Sequence, residues 1–186
     1  SVLKQLVAWV GQEPFMRGVS SYFKKHQWQN TELKDLLVEL EKESGRDLSH
    51  WSKLWLETAG VNTLKPEIAT DSNGVITSFK IHQTAIKEQP TIRPHRLAIG
   101  FFELSAGNLE RTHRVEIDLD GELSEIKELV GLKVPDLVLL NDDDLAYAKI
   151  RLDENSRKVA MENLSGISDS LARTLACEQH NVLYLK

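Results

Sequence analysis

Six histidines, one cysteine and several acidic runs are the groups in this chain that could hold a metal ion or move a proton. Metal-dependent peptide hydrolysis of the commonest kind needs H-E-x-x-H on a helix. Two histidines at i and i+4 then face one zinc, and the glutamate between them acts as general base. No histidine here is followed by glutamate, and no two of His26, His50, His82, His95, His113 and His180 lie four residues apart. Cys177 and His180 form a C-x-x-H pair, but two ligands fall short of a structural zinc site. Asn141-Asp142-Asp143-Asp144 offers hard oxygen ligands of the kind calcium takes. It lacks the glycine and distal glutamate of an EF-hand loop, so a solvated loop capping the next element is the better reading.

The remaining candidates read as structure. His113 falls on the apolar side of an alternating segment with no second ligand near in sequence, and is expected to be partly buried and hydrogen-bonded. Asp35, Glu39, Glu41, Glu43 and Asp47 are interspersed with Lys34, Lys42 and Arg46 and read as a solvated helix face. Trp51 and Trp55 could form an aromatic recognition surface. Their spacing of four favours core or an inter-domain contact, because large aromatics on a stripe normally bury area. No catalytic, cofactor-binding or metal-binding residue is assigned in this chain.

The elements that must position these groups are legible from apolar spacing. The fold class is α+β: a helical bundle segment, then an antiparallel β-sandwich, then a short C-terminal helical segment. Residues 1–62 read as four helices joined by short loops. Val2, Leu3, Leu6, Val7 and Val10 form the first stripe, ended by Gly11. Phe15, Val19, Tyr22 and Phe23 form the second, with Pro14 in a first turn where it is tolerated. Leu33, Leu36, Leu37 and Leu40 form the third, with Asn30 as cap and Gly45 as terminator. Trp51, Leu54 and Trp55 form the fourth, with Asp47 as N-cap and Gly60 as C-cap.

Residues 63–152 switch to β-type spacing. Val75, Phe79 and Ile81 alternate with polar residues after the turn signal Ser72-Asn73-Gly74. A continuous apolar run comes next, from Arg96 to Leu104. Leu109, His113, Val115, Ile117 and Leu119 alternate before the turn Asp120-Gly121. Leu137–Leu140 and Tyr147–Leu152 supply two more strands. Several short strands at this spacing argue for a sandwich. Residues 153–186 return to helical period through Val159, Leu164, Ile167, Leu171 and Leu175, with Ser168 or Asp169 as a cap.

Composition narrows the class. Hydrophobic residues make up 41% of 186, enough for a real core, and the net charge is −5 with both signs mixed along the chain. No basic patch with interleaved aromatics supports nucleic-acid binding. The apolar runs are too short to span a bilayer. The start, SVLKQLVAWVGQ, does not read as a signal peptide. A single cysteine leaves no internal disulfide and fits a reducing cytoplasm.

The stretch SGRDLSHWSKLWLETAGVN, preceded by NTELKDLLVELEKE, resembles the region beyond the active site in M1-family zinc aminopeptidases of the bacterial aminopeptidase N type. SVLKQLVAWVGQEPFMRGVSSYFKKHQWQNTELKDLL and SDSLARTL are further matching pieces, and the similarity runs from Ser1 to about Ala176. It implies that residues 1–62 are the helical end of a catalytic domain, 63–152 a β-sandwich domain and 153–186 the start of a helical C-terminal domain. The run EQHNVLYLK departs from the family pattern. The resemblance also implies zinc in the parent enzyme, bound by residues upstream of the segment matching Ser1, and no cofactor in this chain. VAMEN, Val159–Asn163, echoes the family's G-x-M-E-N motif, whose glutamate binds the substrate's free amine. It lies on the wrong side of the β region, in helical context and with valine for glycine, so coincidence is the better reading.

The function this implies is a structural segment of an enzyme that removes N-terminal residues from peptides, inactive as an isolated chain. Its partners are then the remaining domains of the parent, with peptide substrates only for the intact enzyme, and neither nucleic acid nor membrane. The rival reading is a stand-alone protein-interaction module without catalysis, since sandwiches serve many unrelated binding domains. Cut from its neighbours, such a segment is expected to self-associate through exposed terminal helices bearing Val2, Leu3, Leu6 and Val7 at one end and Ile167, Leu171 and Leu175 at the other, or to fray there.

Overall fold

The computed structural model describes residues 1–181, with the backbone alone for His180 and Asn181. Two compact units divide the chain, Ser1–Ala59 and Gly60–Lys186. The first holds α1 (Val2–Val10), α2 (Gln12–Lys25), α3 (Leu33–Ser44) and α4 (Ser49–Leu56). Ser1 caps α1 by accepting the Lys4 N–H. Gly11, at φ 89°, is the C-cap of α1 and the N-cap of α2 at once.

Two caps differ from those expected. Glu32, not Asn30, caps α3: its carboxylate accepts the N3 backbone N–H while Asp35 Oδ2 accepts the Glu32 N–H at 2.9 Å. That reciprocal pair satisfies two orphan donors, and Asn30 lies too far upstream to do so. Helix α4 ends at Leu56, with Glu57 as its C-cap, and Gly60 (φ 100°) sits beyond it in the link. Asp47 does satisfy a first-turn donor, accepting the Ser49 N–H at 2.8 Å from one residue outside the N-cap Leu48. Gly45 closes α3 in the left-handed conformation, as its type predicts.

The core of this unit gathers Leu6, Val10, Leu40, Leu48, Trp51 and Trp55. The two indoles stack with centroids 5.9 Å apart. Gly18 lets α2 approach α3: a Cβ there would come within 2.8 Å of Leu40 Cδ2 and 3.1 Å of Leu40 Cα.

The second unit contains β1 (Thr63–Thr70), β2 (Ile76–Thr84), β3 (His95–Ser105), β4 (Asn108–Leu119), β5 (Leu123–Glu125), β6 (Leu137–Asp142) and β7 (Lys149–Ile150), then α5 (Glu154–Asn163) and α6 (Ser170–Asn181). One sheet runs β5-β2-β1-β7 and the other β4-β3-β6. Every pairing is antiparallel except the two-residue parallel pairing of β1 with β7. The expected last strand, Tyr147–Leu152, is reduced to that short β7. In the β1–β2 hairpin, Asp71 Oδ1 accepts the N–H groups of Asn73 and Val75, which builds the turn ahead of Gly74.

The two sheets share one core. Leu64, Ile76, Phe79 and Ile81 from one meet Leu97, Ile99, Phe101 and Leu140 from the other. The far side of the β4-β3-β6 sheet is also covered. Phe102, Leu137 and Leu139 pack there with Ala160 of α5 and with Ala172, Leu175 and Ala176 of α6. Burial on both faces explains why β3 and β6 read as continuous apolar runs rather than alternation.

It also corrects the expectation of a bare C-terminal stripe. Ile167 and Leu175 are buried in that second cluster, and Leu171 alone of the three is exposed. At the other end Leu6 is buried, Leu3 exposed, and Val2 and Val7 half-buried. Asp169 caps α6 by accepting the Ala172 N–H at 2.7 Å, and Asp153 caps α5 through the Ser156 N–H. Among the described residues no helix is long and apolar enough to cross a membrane.

Candidate functional site

The densest cluster of charge surrounds the acidic run at the end of β6. Asn141, Asp143 and Asp144 all take left-handed backbone, at φ 60°, 63° and 54°. The side chain of Asn141 holds this loop: Oδ1 accepts the Ala146 N–H at 2.6 Å and Nδ2 donates to the Ala146 carbonyl at 3.0 Å. Asn and Asp tolerate such backbone because their short side chains bond locally.

Two neighbouring arginines on β4 neutralise the carboxylates. Arg111 donates to Asp142 Oδ2 at 2.7 Å and to Asp143 Oδ1 at 3.2 Å. Arg114 donates to Asp143 Oδ2 at 2.7 Å and to Glu116 Oε1 at 2.8 Å. The ladder continues through Arg96, which bridges Glu116 and Asp118. Burial pushes the Asp142 carboxyl up, against the pull of Arg111. The hydrogen bond from Arg114 holds Glu116 below the usual carboxylate range.

These contacts correct the solvated-loop expectation for Asn141–Asp144 at its first two residues. Asn141 and Asp142 are buried. Asp142 Oδ2 and both carboxylate oxygens of Asp143 already accept guanidinium hydrogen bonds, so a calcium ion there would compete with Arg111 and Arg114.

The acidic residues of the helical unit are likewise engaged rather than simply solvated. Glu39 is buried and accepts from Lys42 at 2.8 Å and Lys25 at 2.9 Å. Those bonds, Lys42's first, hold its carboxyl down at about 2. Glu41 accepts the Leu48 N–H at 2.7 Å, and Glu43 pairs with Arg17 at 2.9 Å. A groove of about 520 Å³ between α3 and α4 is walled by Leu33, Leu37, Val38 and Leu56.

A third polar set lies inside the second unit, and sequence reasoning missed it. Asn62, Gln83, Arg93 and His95 are all at most 2% exposed. Gln83 Nε2 donates to the Arg93 carbonyl and Asn62 Nδ2 to the Thr91 carbonyl, each at 2.7 Å. Both bonds fasten the segment between β2 and β3. Burial first, and the Arg93 charge second, push the His95 imidazole down to about 3. The available signal was a histidine heading a run that is otherwise apolar, Leu97 to Phe102.

The other sequence candidates stay apart. His113 is exposed, not partly buried, because β4 is the outer strand of its sheet; its ring lies 5.7 Å from Phe101. VAMEN is ordinary helix within α5, with Glu162 exposed and Asn163 donating back to the Val159 carbonyl. Cys177 is half-buried, while the side chain of His180 and residues 182–186 of the EQHNVLYLK run lie outside the described residues. Among the described residues no three His, Cys, Asp or Glu side chains converge to hold a metal ion. The chemistry they offer is mutual pairing that fixes loops and helix ends.

The chain is similar to known proteins in sequence and in fold. The Peptidase family M1 domain matches residues 1–55. Aminopeptidase N of Streptomyces lividans is 58% identical over 182 residues, covering 94% of this chain. The chain belongs to the M1 aminopeptidase family. It spans 21% of the Streptomyces protein's length. Aminopeptidase N of Lactococcus lactis subsp. lactis is 37% identical over 71 residues, 38% of this chain and 8% of that one. The crystal structure of Legionella pneumophila aminopeptidase A in complex with aspartic acid aligns over 98% of this chain and 21% of that one, with a TM-score of 0.68 and 17% identity. At that identity the likeness concerns the fold alone.

Proposed function

We propose that this chain is an architectural, non-catalytic segment of a zinc-dependent aminopeptidase that removes N-terminal residues from peptides in the cytoplasm. The observation that carries the reading is the 58% identity to an aminopeptidase N across nearly the whole chain. In this reading residues 1–62 complete the back of the catalytic domain, 63–152 form a spacer, and 153–186 open a helical C-terminal domain. Zinc and its ligands belong to the rest of the enzyme. The stacked tryptophans, the Arg111–Asp142 pair and the helix caps supply rigidity, which is what holding a distant site in place requires. Peptides and the remaining domains are partners of the intact enzyme only.

Grafting tests it. The chain replaces the matching segment of the Streptomyces aminopeptidase N, and hydrolysis of an aminoacyl anilide is measured. The hybrid is expected to keep activity and one zinc, and the isolated chain to have neither. Stoichiometric zinc with turnover in the isolated chain, or a hybrid that folds without activity, overturns the proposal.

A further inference from the structure

The outward face of α2 carries apolar groups that stay outside the core of the helical unit, although the Phe23 ring meets that of Tyr22 edge-on at 5.3 Å. The inward side of the helix packs through Phe15 and Val19 on the core and through Gly18 against Leu40. Met16, Ser20 and Phe23, at i, i+4 and i+7, point the other way and are exposed, Met16 by 61% and Phe23 by 65%. Beyond the helix end, Trp28 is fully exposed and adopts left-handed backbone at φ 64°. A bulky residue in that region is a steric outlier; here it sits in the turn closed by the Gln29 N–H to the His26 carbonyl at 3.3 Å, with its indole in solvent.

From this geometry we infer that Met16, Phe23 and Trp28 form a seam against an apolar surface of the same enzyme's M1 peptidase domain, contributed by sequence outside this chain. The inference rests on the proposed function and names the surface through which the segment is held. Two observations choose the occupant. The face lies within residues 1–55, which match the M1 peptidase domain, and the chain supplies 21% of the length of its 58%-identical relative. Charge argues against an anionic lipid or nucleic-acid surface. The nearby cations Arg17 and Lys25 are paired with Glu43 and Glu39, and Lys24 beside Phe23 is one further exposed cation on a chain of net charge −5, too little positive charge for an anionic surface. Exposed large aromatics without such charge mark protein contacts.

Hydroxyl-radical footprinting, read by mass spectrometry at Met16, Phe23 and Trp28, compares the isolated chain with the Streptomyces hybrid. Strong labelling in the isolated chain and its loss at all three positions in the hybrid are expected. The pair Met16→Ser and Trp28→Asn should leave the isolated chain's melting temperature nearly unchanged and lower that of the hybrid. A folded, active hybrid labelled as strongly as the isolated chain overturns the inference while leaving the proposed function standing. Protection in the isolated chain, with a dimer in light scattering, makes a second copy the occupant and also overturns it. A hybrid that does not fold removes the proposed function and the seam together.

Discussion

Gly100 on β3 leaves the space that the Asp142 carboxylate occupies: a Cβ at Gly100 would stand 2.5 Å from Asp142 Oδ2 and 2.9 Å from the Phe102 ring. The glycine is thus required by packing and not by backbone conformation. Asp142 is itself fixed by Arg111 and held by the loop that Asn141 closes, so it has little room to yield. Gly100→Ala is therefore expected to destabilise the second unit by about 1–3 kcal/mol, the usual cost of overpacking. Chemical denaturation checks this. A change below about 0.5 kcal/mol, the range of surface sites, would mean that the carboxylate moves freely.

The Arg111–Asp142 pair makes a second expectation. The Asp142 side chain is 2% exposed and that of Arg111 40%, so the guanidinium is the partner that water can replace. Arg111→Ala strands a buried carboxylate and should cost about 1–3 kcal/mol. Arg111→Ala with Asp142→Asn should recover part of that loss, because the stranded group is then neutral. A double-mutant cycle measures the recovery, and simple additivity would show that the two residues do not interact.

How much of this was legible in the sequence depends on the range of each interaction. The four helical stripes, the strands around Val75–Ile81, Arg96–Leu104 and Leu109–Leu119 and the tryptophan pair rest on spacing within one element, and spacing is visible, whereas β1 (Thr63–Thr70) was not read as a strand. The cap of α3 was misplaced because Glu32 gains its preference only through Asp35 folding back on it. The Arg111–Asp142 pair joins residues 31 apart across two strands, and its alignment depends on irregularities in β3 next to Phe101 and Ile99 that no pattern announces. His113 sat on the expected face, but only the strand order puts that face at a sheet edge. The covering of β3 and β6 on both sides was written in their unbroken apolar runs, whereas α5 and α6 as the cover were not.

Trp51 and Trp55 are 1% and 6% exposed and stack on each other within a core of six buried side chains. Replacing either by alanine empties a volume this small core cannot refill. Trp55→Ala is expected to cost about 3–5 kcal/mol, the range for large aromatics. Circular dichroism melts track the loss. Because the helical unit and the sheets have separate cores, near-ultraviolet signal from the tryptophans, all of which lie in the helical unit, should fall first while far-ultraviolet β signal persists. Simultaneous loss of both would show that the two units unfold as one.

His95 gives the chain an acid sensitivity whose direction can be worked out. Burial and the Arg93 charge hold the folded imidazole near 3, while an unfolded one titrates at the ordinary 6.5. Between these values the unfolded state carries a proton that the folded state refuses. The resulting stability is fully present above pH 6.5 and is lost as pH falls towards about 3. The slope for one proton is about 1.4 kcal/mol per pH unit. Glu39 acts in the same direction but lower down, its contribution falling away between 4.5 and about 2. Denaturation midpoints collected from pH 7 to pH 5 therefore separate His95 from Glu39, and a variant without the imidazole identifies its share. His95→Gln, which cannot take up a proton, is expected to flatten the slope across that window even if it lowers stability at every pH. An unchanged slope in the variant would assign the proton uptake to another group and place the His95 imidazole in contact with water.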